Sequence, residues 1–468
     1  MKKILLSFLL FSAFFNLQAQ NCGTKNPTAI EYNYFMNTIK NTPVFKNAGT
    51  ECVPIKLYVF RETGGTGGVS LIDLNKGLAN LNKVYLAAGI EFFFCSAPTY
   101  IDNTDLNNFD ERSPDNDLES QIITAAGSVT NAVNVYFVES ITLSSGFQAA
   151  GYAYFPTSSN NSNRMIMTHS TAAGKAEGTF AHEFGHYFSL FHTFQGTSSG
   201  NTDPNAENVP RTGSNANCTT KGDGFCDTDA DPGYSNLTST NCVYTGTATD
   251  INGVTYNPLT AITNTMSYYQ DACLLGFSAE QYVAIAQGWT TRKSFAAYNY
   301  NCPPMTVSAP TGLTATLGSG VVLSWTDNAS NEMGYIIERS STSATSGFRA
   351  LENGGTDQNA TSYIDLDVNP NTTYYYRVKA SNGDCNTYSN VATVSVTYCF
   401  ASASSCDEIL TNVTIGTINN SSTAAACAIS SYQNFTNLST NLTVGVATTI
   451  TMTTTPSYTG DSVSVWVD

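Results

Sequence analysis

At 468 residues the chain is long enough for several domains, so no single compact unit is expected to account for it. With 20 Lys and Arg against 36 Asp and Glu, a net charge of −16, it lacks the basic surface that nucleic-acid binding needs. The acidity suits solubility and cation partners and does not specify a fold.

The chain opens with Met1-Lys2-Lys3, an apolar run over residues 4–15 and a small residue at Ala19. A basic start, a short apolar core and a small residue make a secretory signal peptide over residues 1–19. The run is short for a membrane span, and no other stretch could cross a bilayer. The protein is therefore expected to be secreted, extracellular or at the cell surface, where most of its 12 cysteines should pair. Residues 20–50 are polar and read as a short pro-segment whose notable feature is Cys22-Gly23. Residues 54–61 read as a strand. Residues 70–88 have helical spacing, with Leu71, Leu74, Leu78, Leu81 and Val84 on one stripe. Residues 90–95, 132–139, 151–155 and 165–168 read as strands, and a further helix is expected to start near Ala172. Residues 196–263 are rich in Gly, Asn, Thr and Asp, a loop-heavy stretch that needs staples. Residues 277–299 read as a closing helix with Ser278 as N-cap. Cys302-Pro303-Pro304 opens a linker.

Three of the four histidines stand in the segment His182-Glu-Phe-Gly-His186-Tyr-Phe-Ser-Leu-Phe-His192. His182 and His186 are one helical turn apart and project from one face. His192 closes a triangular site if the helix ends before it. Three neutral imidazoles suit Zn²⁺ and leave one position open. Glu183, beside the first ligand, is placed to take a proton from water and pass it to a leaving amine. Three buried imidazoles without a metal would need three separate partners.

This segment resembles the long zinc motif of the metzincin metallopeptidases, and within them the pappalysin family, HExxHxxGxxH followed by Thr-Phe, as Thr193-Phe194 is here. Asn264-Thr-Met266-Ser-Tyr268 resembles the family's Met-turn. The resemblance implies that Met266 is the apolar floor beneath the metal and that Tyr268 hydrogen-bonds the tetrahedral intermediate. Ser189 stands where the family has Gly, at a turn taken with positive φ, which costs roughly 1 kcal/mol for a non-glycine residue. Lys221-Gly-Asp223-Gly-Phe-Cys-Asp227-Thr228-Asp229 resembles a block that supports structural calcium, giving Asp223, Asp227 and Thr228 as ligand candidates; solvated acidic turns are the other reading. An acidic residue at the place of Asp271 implies a pocket for a basic side chain after the scissile bond; a surface Asp is the alternative. Cys22 is either the thiolate of a zymogen switch over the metal or half of a disulfide. The resemblance favours disulfides of Cys218 with Cys242 and Cys226 with Cys273. Cys52 with Cys95, and Cys302 with Cys385, are further candidate bridges.

Residues 305–398 resemble a fibronectin type III domain, with Val321-Val-Leu-Ser-Trp325 and Tyr374-Tyr-Tyr-Arg-Val378 as strands of opposite sheets. Residues 399–468 resemble the beginning of a GEVED domain, with strands at 412–416 and 463–467, and the sequence is expected to continue beyond Asp468. The fold class expected is an α+β metzincin-like catalytic domain over residues 51–301, a mixed twisted sheet with the zinc motif on its active-site helix, followed by all-β sandwich domains. The function expected is a secreted zinc metalloendopeptidase, made as a zymogen, acting on proteins or peptides and preferring Arg or Lys after the cleaved bond. Zinc is its catalytic ion and calcium a structural one, and a bacterial source is expected. An inactive protease-like binding protein and an adhesin are the rival readings.

Overall fold

The computed structural model describes residues 22–43, 50–112, 118–159, 162–197, 205–233, 239–397, 409–421, 438–442 and 448–455. The expected signal peptide and the strand at 463–467 lie outside them. Residues 22–24 are extended, and helix α1 (Ala29–Asn37) follows, closed at its start by a reciprocal capping box between Thr28 and Glu31. The sequence pattern hid this helix, because its burial rests on Phe35 alone. With Ile39 just beyond it, Phe35 joins the main core.

The central sheet has six strands: β1 (Glu51–Arg61), β2 (Ile90–Phe94), β3 (Thr99–Asp102), β4 (Val133–Val138), β5 (Gly151–Ala153) and β6 (Arg164–Thr168). Their order is β2-β1-β4-β6-β5, with β3 also beside β1. All pairings are parallel except β5 with β6, which leaves β5 as an antiparallel edge. Strands covered on both faces read as continuous apolar runs, and β4 is buried at all six positions. Helix α2 (Leu71–Tyr85) is capped by Ser70 and buries Leu74, Leu78 and Leu81 against one face. Helix α3 (Leu118–Ala126) places Leu118 and Ile122 on the other, with Tyr58, Phe60, Tyr136 and Ile166.

Helix α4 (Thr179–Tyr187) carries the histidine motif on the α2 side of the sheet. It starts seven residues later than the sequence suggested. Gly178 is its N-cap, and Gly174 has a φ of +129°, so residues 172–178 form a loop instead of a first turn. Helix α5 (Ala279–Ser294) is capped by Ser278 and Gln281 and packs behind α4. A Cβ on Gly288 would sit 2.0 Å from the Phe188 carbonyl oxygen, so glycine is what admits this approach.

Seven strands form a C-terminal sandwich. One sheet orders β7 (Thr311–Leu317), β8 (Val321–Thr326) and β11 (Ser362–Asp365). The other orders β10 (Arg349–Gly355), β9 (Tyr335–Ser340), β12 (Thr372–Ala380) and β13 (Ala392–Val396). Trp325, Leu323, Tyr335, Ile337, Tyr376 and Val378 fill its core, as period-two alternation along β8 dictates. Beyond it, β14 (Ile409–Ile415) pairs with β15 (Ile418–Ser421) and β16 (Ile450–Thr455).

The sandwich is not strung on a free linker. Asn75 of α2 donates its amide to the carbonyls of Met333 (2.6 Å) and Thr356 (2.8 Å). Met333, Ile336 and Ala350 belong to the same apolar cluster as the central sheet. Lys379, 3% exposed, pairs with Glu91 of β2 at 2.6 Å and with Glu338 at 3.0 Å. All four expected disulfides are corrected. The structure joins Cys52 to Cys385 and Cys95 to Cys302, so two bridges run between the sheet domain and the sandwich side of the chain. Cys218 pairs with Cys226, and Cys242 with Cys273. The expected Cys52–Cys95 and Cys302–Cys385 bridges each closed a loop within one part of the chain, whereas docking of the sandwich brings cysteines 207 and 333 residues apart into bonding range. The pairs implied by the resemblance give way to bridges between nearer neighbours, 8 and 31 residues apart.

The Lys379 triad makes the docking testable. Removing one member of a buried ionic set leaves uncompensated charge, here the Glu91 carboxylate, since Glu338 keeps Arg377 at 2.6 Å, and costs about 3–5 kcal/mol. Lys379→Ala is expected to lose about that much in denaturant unfolding under oxidising conditions, and a change below about 1 kcal/mol would contradict this account of the interface.

Candidate metal centre and active site

The end of α4 sets the geometry of the site. Ser189 N donates to the His186 carbonyl and Leu190 N to that of Gly185, both at 2.9 Å, the paired closure of a Schellman motif. The residue in its left-handed position is Ser189, with φ +89°. The turn expected of a glycine is therefore kept, and it returns the chain so that His192 faces the helix. His186 Nε2 lies 3.0 Å from His182 Nε2 and 3.1 Å from His192 Nε2.

Hydrogen bonding fixes two of the tautomers. His182 Nδ1 is 2.7 Å from the Thr265 carbonyl oxygen, and His186 Nδ1 is 2.7 Å from that of Leu190. A carbonyl only accepts, so each Nδ1 carries the hydrogen and each Nε2 presents a bare lone pair. Two bare nitrogens 3.0 Å apart, buried, repel each other unless a cation lies between them. Burial pushes the His182 pKa down to about 4, and those of His186 and His192 well below the ordinary imidazole value. Three neutral nitrogens converging in a closed apolar pocket fit zinc.

A fourth donor joins them. Cys22 Sγ is 3.4 Å from His186 Nε2, and the ligand atoms of Cys22, His182, His186 and His192 all lie within 4.8 Å of one another. Cys22 is free and buried, which decides against its pairing in a disulfide in this structure. Its segment lies along the edge strand: Cys22 bridges Gly151 in parallel sense, and Gly23 N donates to the Gly151 carbonyl at 2.7 Å. Thr24, unremarked in the sequence, donates its hydroxyl to Glu183 Oε2 at 2.9 Å and accepts from Ala153 N at 2.9 Å. Glu183 is wholly buried, its Oε1 has no hydrogen-bond partner, and burial pushes its pKa up to about 7.

Met266 is fully buried beneath the histidines. A Cβ on Gly185 would lie 2.4 Å from its sulfur, so that glycine, between the two helical histidines, makes room for it. The same turn supplies the Thr265 carbonyl, and Asn264 accepts from Met266 N while donating to Gln281 of α5. Tyr268 packs beside His192 with ring centroids 4.9 Å apart and donates its hydroxyl to the Cys22 carbonyl at 3.0 Å. Phe194 stacks on His192 at 4.8 Å. Sequence reasoning also missed Arg292, which is fully buried and donates to the carbonyls of Tyr187, Ser162 and Tyr154. A cation at the C-terminal carbonyl of α4 favours the helix there.

Asp271 lies away from the histidine triangle, on a cavity of about 190 Å³ also lined by residues 170–176, by residues 178–181 of the N-terminal end of α4, and by Gly77, Asn80 and Leu81 of α2. Its Oδ1 is buried without a partner, and burial raises its pKa against the pull of Lys175. The calcium candidates do not form a shared cage. Asp227 is taken up by α5, accepting from Ser278 Oγ at 2.7 Å and Glu280 N at 2.8 Å. Thr228 donates to Asp223 at 2.9 Å. Among the described residues, the histidine and Cys22 group is the one cluster of at least three His, Cys, Asp or Glu that could hold a metal.

Residues 74–193, from α2 to just past His192, match the family model described as metallo-peptidase family M12B, reprolysin-like. An extracellular metalloprotease of Colletotrichum graminicola is 25% identical over 314 residues, 62% of this chain and 98% of that protein. One of Sordaria macrospora is 25% identical over 221 residues, 43% of this chain and 73% of that protein. The chain is a zinc metalloendopeptidase. A Tannerella forsythia promirolysin mutant superposes with a TM-score of 0.42 at 16% identity, over 60% of this chain and 97% of that one. A Fn3-like protein from Clostridium thermocellum does so with 0.17 at 32% identity, over 19% and 92%. Scores this low carry no weight for the fold. The curated relatives of this metallopeptidase are fungal, so the expected bacterial source gains nothing from them. No helix among the described residues is long and apolar enough to cross a membrane.

The turn at Ser189 yields a direct test. Its backbone pays the left-handed penalty, and its buried hydroxyl has no partner. Ser189→Gly is expected to stabilise the protein by about 1 kcal/mol, read in denaturant unfolding, with peptidase activity retained. Destabilisation would show that the strain argument is wrong.

Proposed function

We propose that the chain is a secreted, pappalysin-like metzincin made in latent form, with its catalytic unit in residues 51–301, a pro-segment in 20–50 and a fibronectin type III-like unit in 305–398. His182, His186 and His192 hold zinc. An ion bound there would supply Lewis-acid chemistry, polarisation of a scissile carbonyl and a water pKa lowered to about 7. The observation that carries the reading is the convergence of bare imidazole nitrogens on one point beside a buried carboxylate whose Oε1 has no hydrogen-bond partner.

Glu183 is the general base and then the acid. Its free Oε1 is available to take a proton, while its buried surroundings keep its basicity close to neutral pH. Tyr268 stabilises the oxyanion. Its hydroxyl already donates to a main-chain carbonyl, that of Cys22, as it would to the carbonyl under attack. Extended substrate adds to the edge strand β5, whose Gly151 carbonyl and Ala153 amide are engaged by Gly23 and Thr24 in the latent chain. Cys22 would maintain latency by offering its sulfur as a fourth donor to the metal, and Thr24 by holding the base.

Asp271 receives an Arg or Lys side chain after the scissile bond, supported by its unpartnered oxygen on a cavity beside α4. The structural calcium of the resemblance is retained only at Asp223 and Thr228. There the buried Glu207, with an unpartnered Oε2, adds a second carboxylate in place of Asp227.

Processed wild type and Glu183→Ala are to be compared on casein, with the new N-termini sequenced. Loss of a general base is expected to slow cleavage by at least about 100-fold, and the wild-type termini should be enriched in Arg and Lys. Equal cleavage by the two proteins would exclude this site, and a flat terminal distribution would remove the role given to Asp271.

A further inference from the structure

The wall of the Asp271 cavity is built from a segment with little structure of its own. Residues 172–178 are neither helix nor strand, and Gly174 takes a φ of +129°. Lys175, the cation nearest Asp271 in charge terms, sits in the middle of this loop and lines the same cavity. What holds the loop comes partly from outside the catalytic sheet. Asn353, on β10 of the sandwich, accepts from Gly174 N at 3.4 Å. It also exchanges hydrogen bonds with Asn80 of α2, at 2.7 Å and 3.1 Å, and Asn80 donates in turn to the Gly174 carbonyl. Glu352 accepts from Ala176 N at 3.2 Å and pairs with Lys83 at 2.8 Å. Lys83 reaches Glu177 at 3.4 Å, and Glu177 reaches Lys175 at 3.7 Å. Backbone and charges of the wall are thus both tied to two adjacent residues of one sandwich strand. Asn353 has a φ of +52°, a conformation Asn tolerates better than most residues.

We infer that Glu352 and Asn353, although carried on the C-terminal sandwich, are positioning residues for the cavity at Asp271, so that the sandwich is part of the enzyme's specificity pocket. The inference rests on the reading that this cavity receives the side chain after the scissile bond. Without the two anchors, Gly174 N and Ala176 N lose the two acceptors that the sandwich supplies, and the Lys83 and Glu177 relay that holds Lys175 loses its Glu352 end. A basic substrate side chain then competes with Lys175 for the same carboxylate.

The test uses processed full-length enzyme and two peptides that differ only in having Arg or Leu after the scissile bond. Asn353→Gly keeps the backbone conformation and deletes the amide. Glu352→Ala deletes the acceptor for Ala176 N, and Glu352→Gln keeps it. Asp271→Asn reports on the cavity itself. Asn353→Gly and Glu352→Ala are each expected to raise KM for the Arg peptide by about 3- to 10-fold, the worth of one or two hydrogen bonds. Their kcat, their zinc content and their KM for the Leu peptide should stay close to wild type, and Glu352→Gln should recover most of the loss. If Asp271→Asn abolishes the Arg preference while the sandwich variants leave it unchanged, the inference is overturned and the pocket reading stands. The inference is also overturned if the sandwich variants weaken both peptides equally, a general loss of structure. If Asp271→Asn leaves the preference intact, the pocket reading falls and the inference with it.

Discussion

Two carbonyl oxygens, those of Thr265 and Leu190, fix the direction in which His182 and His186 can donate electrons. Each takes the Nδ1 hydrogen and leaves Nε2 bare and inward. Thr265 belongs to the turn that also delivers Met266 under the helix, and Leu190 follows the left-handed Ser189 that returns His192 to the cluster. One short backbone reversal and one buried turn therefore determine ligand orientation, tautomer and the apolar floor together. Gln281, which accepts from Asn264 of the turn, and Gly288 brace that arrangement from α5, and Arg292 does so from its far end.

The same pocket explains why the N-terminal segment lies where it does. A thiol is poorly placed in an apolar pocket, and burial beside Glu183 pushes the Cys22 pKa well up. A cation among the imidazoles reverses that logic, because a coordinating thiol loses its proton outright. Residues 22–24 thus meet every reactive group of the site at once: the imidazoles through Sγ, Glu183 through the Thr24 hydroxyl, Tyr268 through a carbonyl and β5 through its main chain.

Much of this was legible in the sequence where spacing alone carries it. The helical period placed His182, Glu183 and His186, and the oddity of Ser in a glycine position announced the strained turn that the structure contains. Strand β4 and helix α2 followed from their apolar patterns. Contacts between elements far apart in sequence were not legible. Thr24 is an ordinary polar residue until β5 lies beside it. Arg292 reads as the basic end of a helix, and the Thr265 and Leu190 carbonyls carry no side-chain signature at all. Cys52, Cys95, Cys302 and Cys385 were misassigned for the same reason, since nothing in their spacing says that the sandwich docks on α2 and β2. Asp227, which resembled a calcium ligand, serves the N-terminus of α5 instead, where a carboxylate is stabilised by free backbone N–H groups.

X-ray absorption at the zinc edge of the unprocessed chain tests the central claim most directly. The account predicts a single stoichiometric zinc with imidazole nitrogens and one sulfur in its shell, the sulfur vanishing in Cys22→Ala and the nitrogens remaining. Metal well below stoichiometry, or a zinc surrounded by oxygen without imidazole scattering, would contradict it.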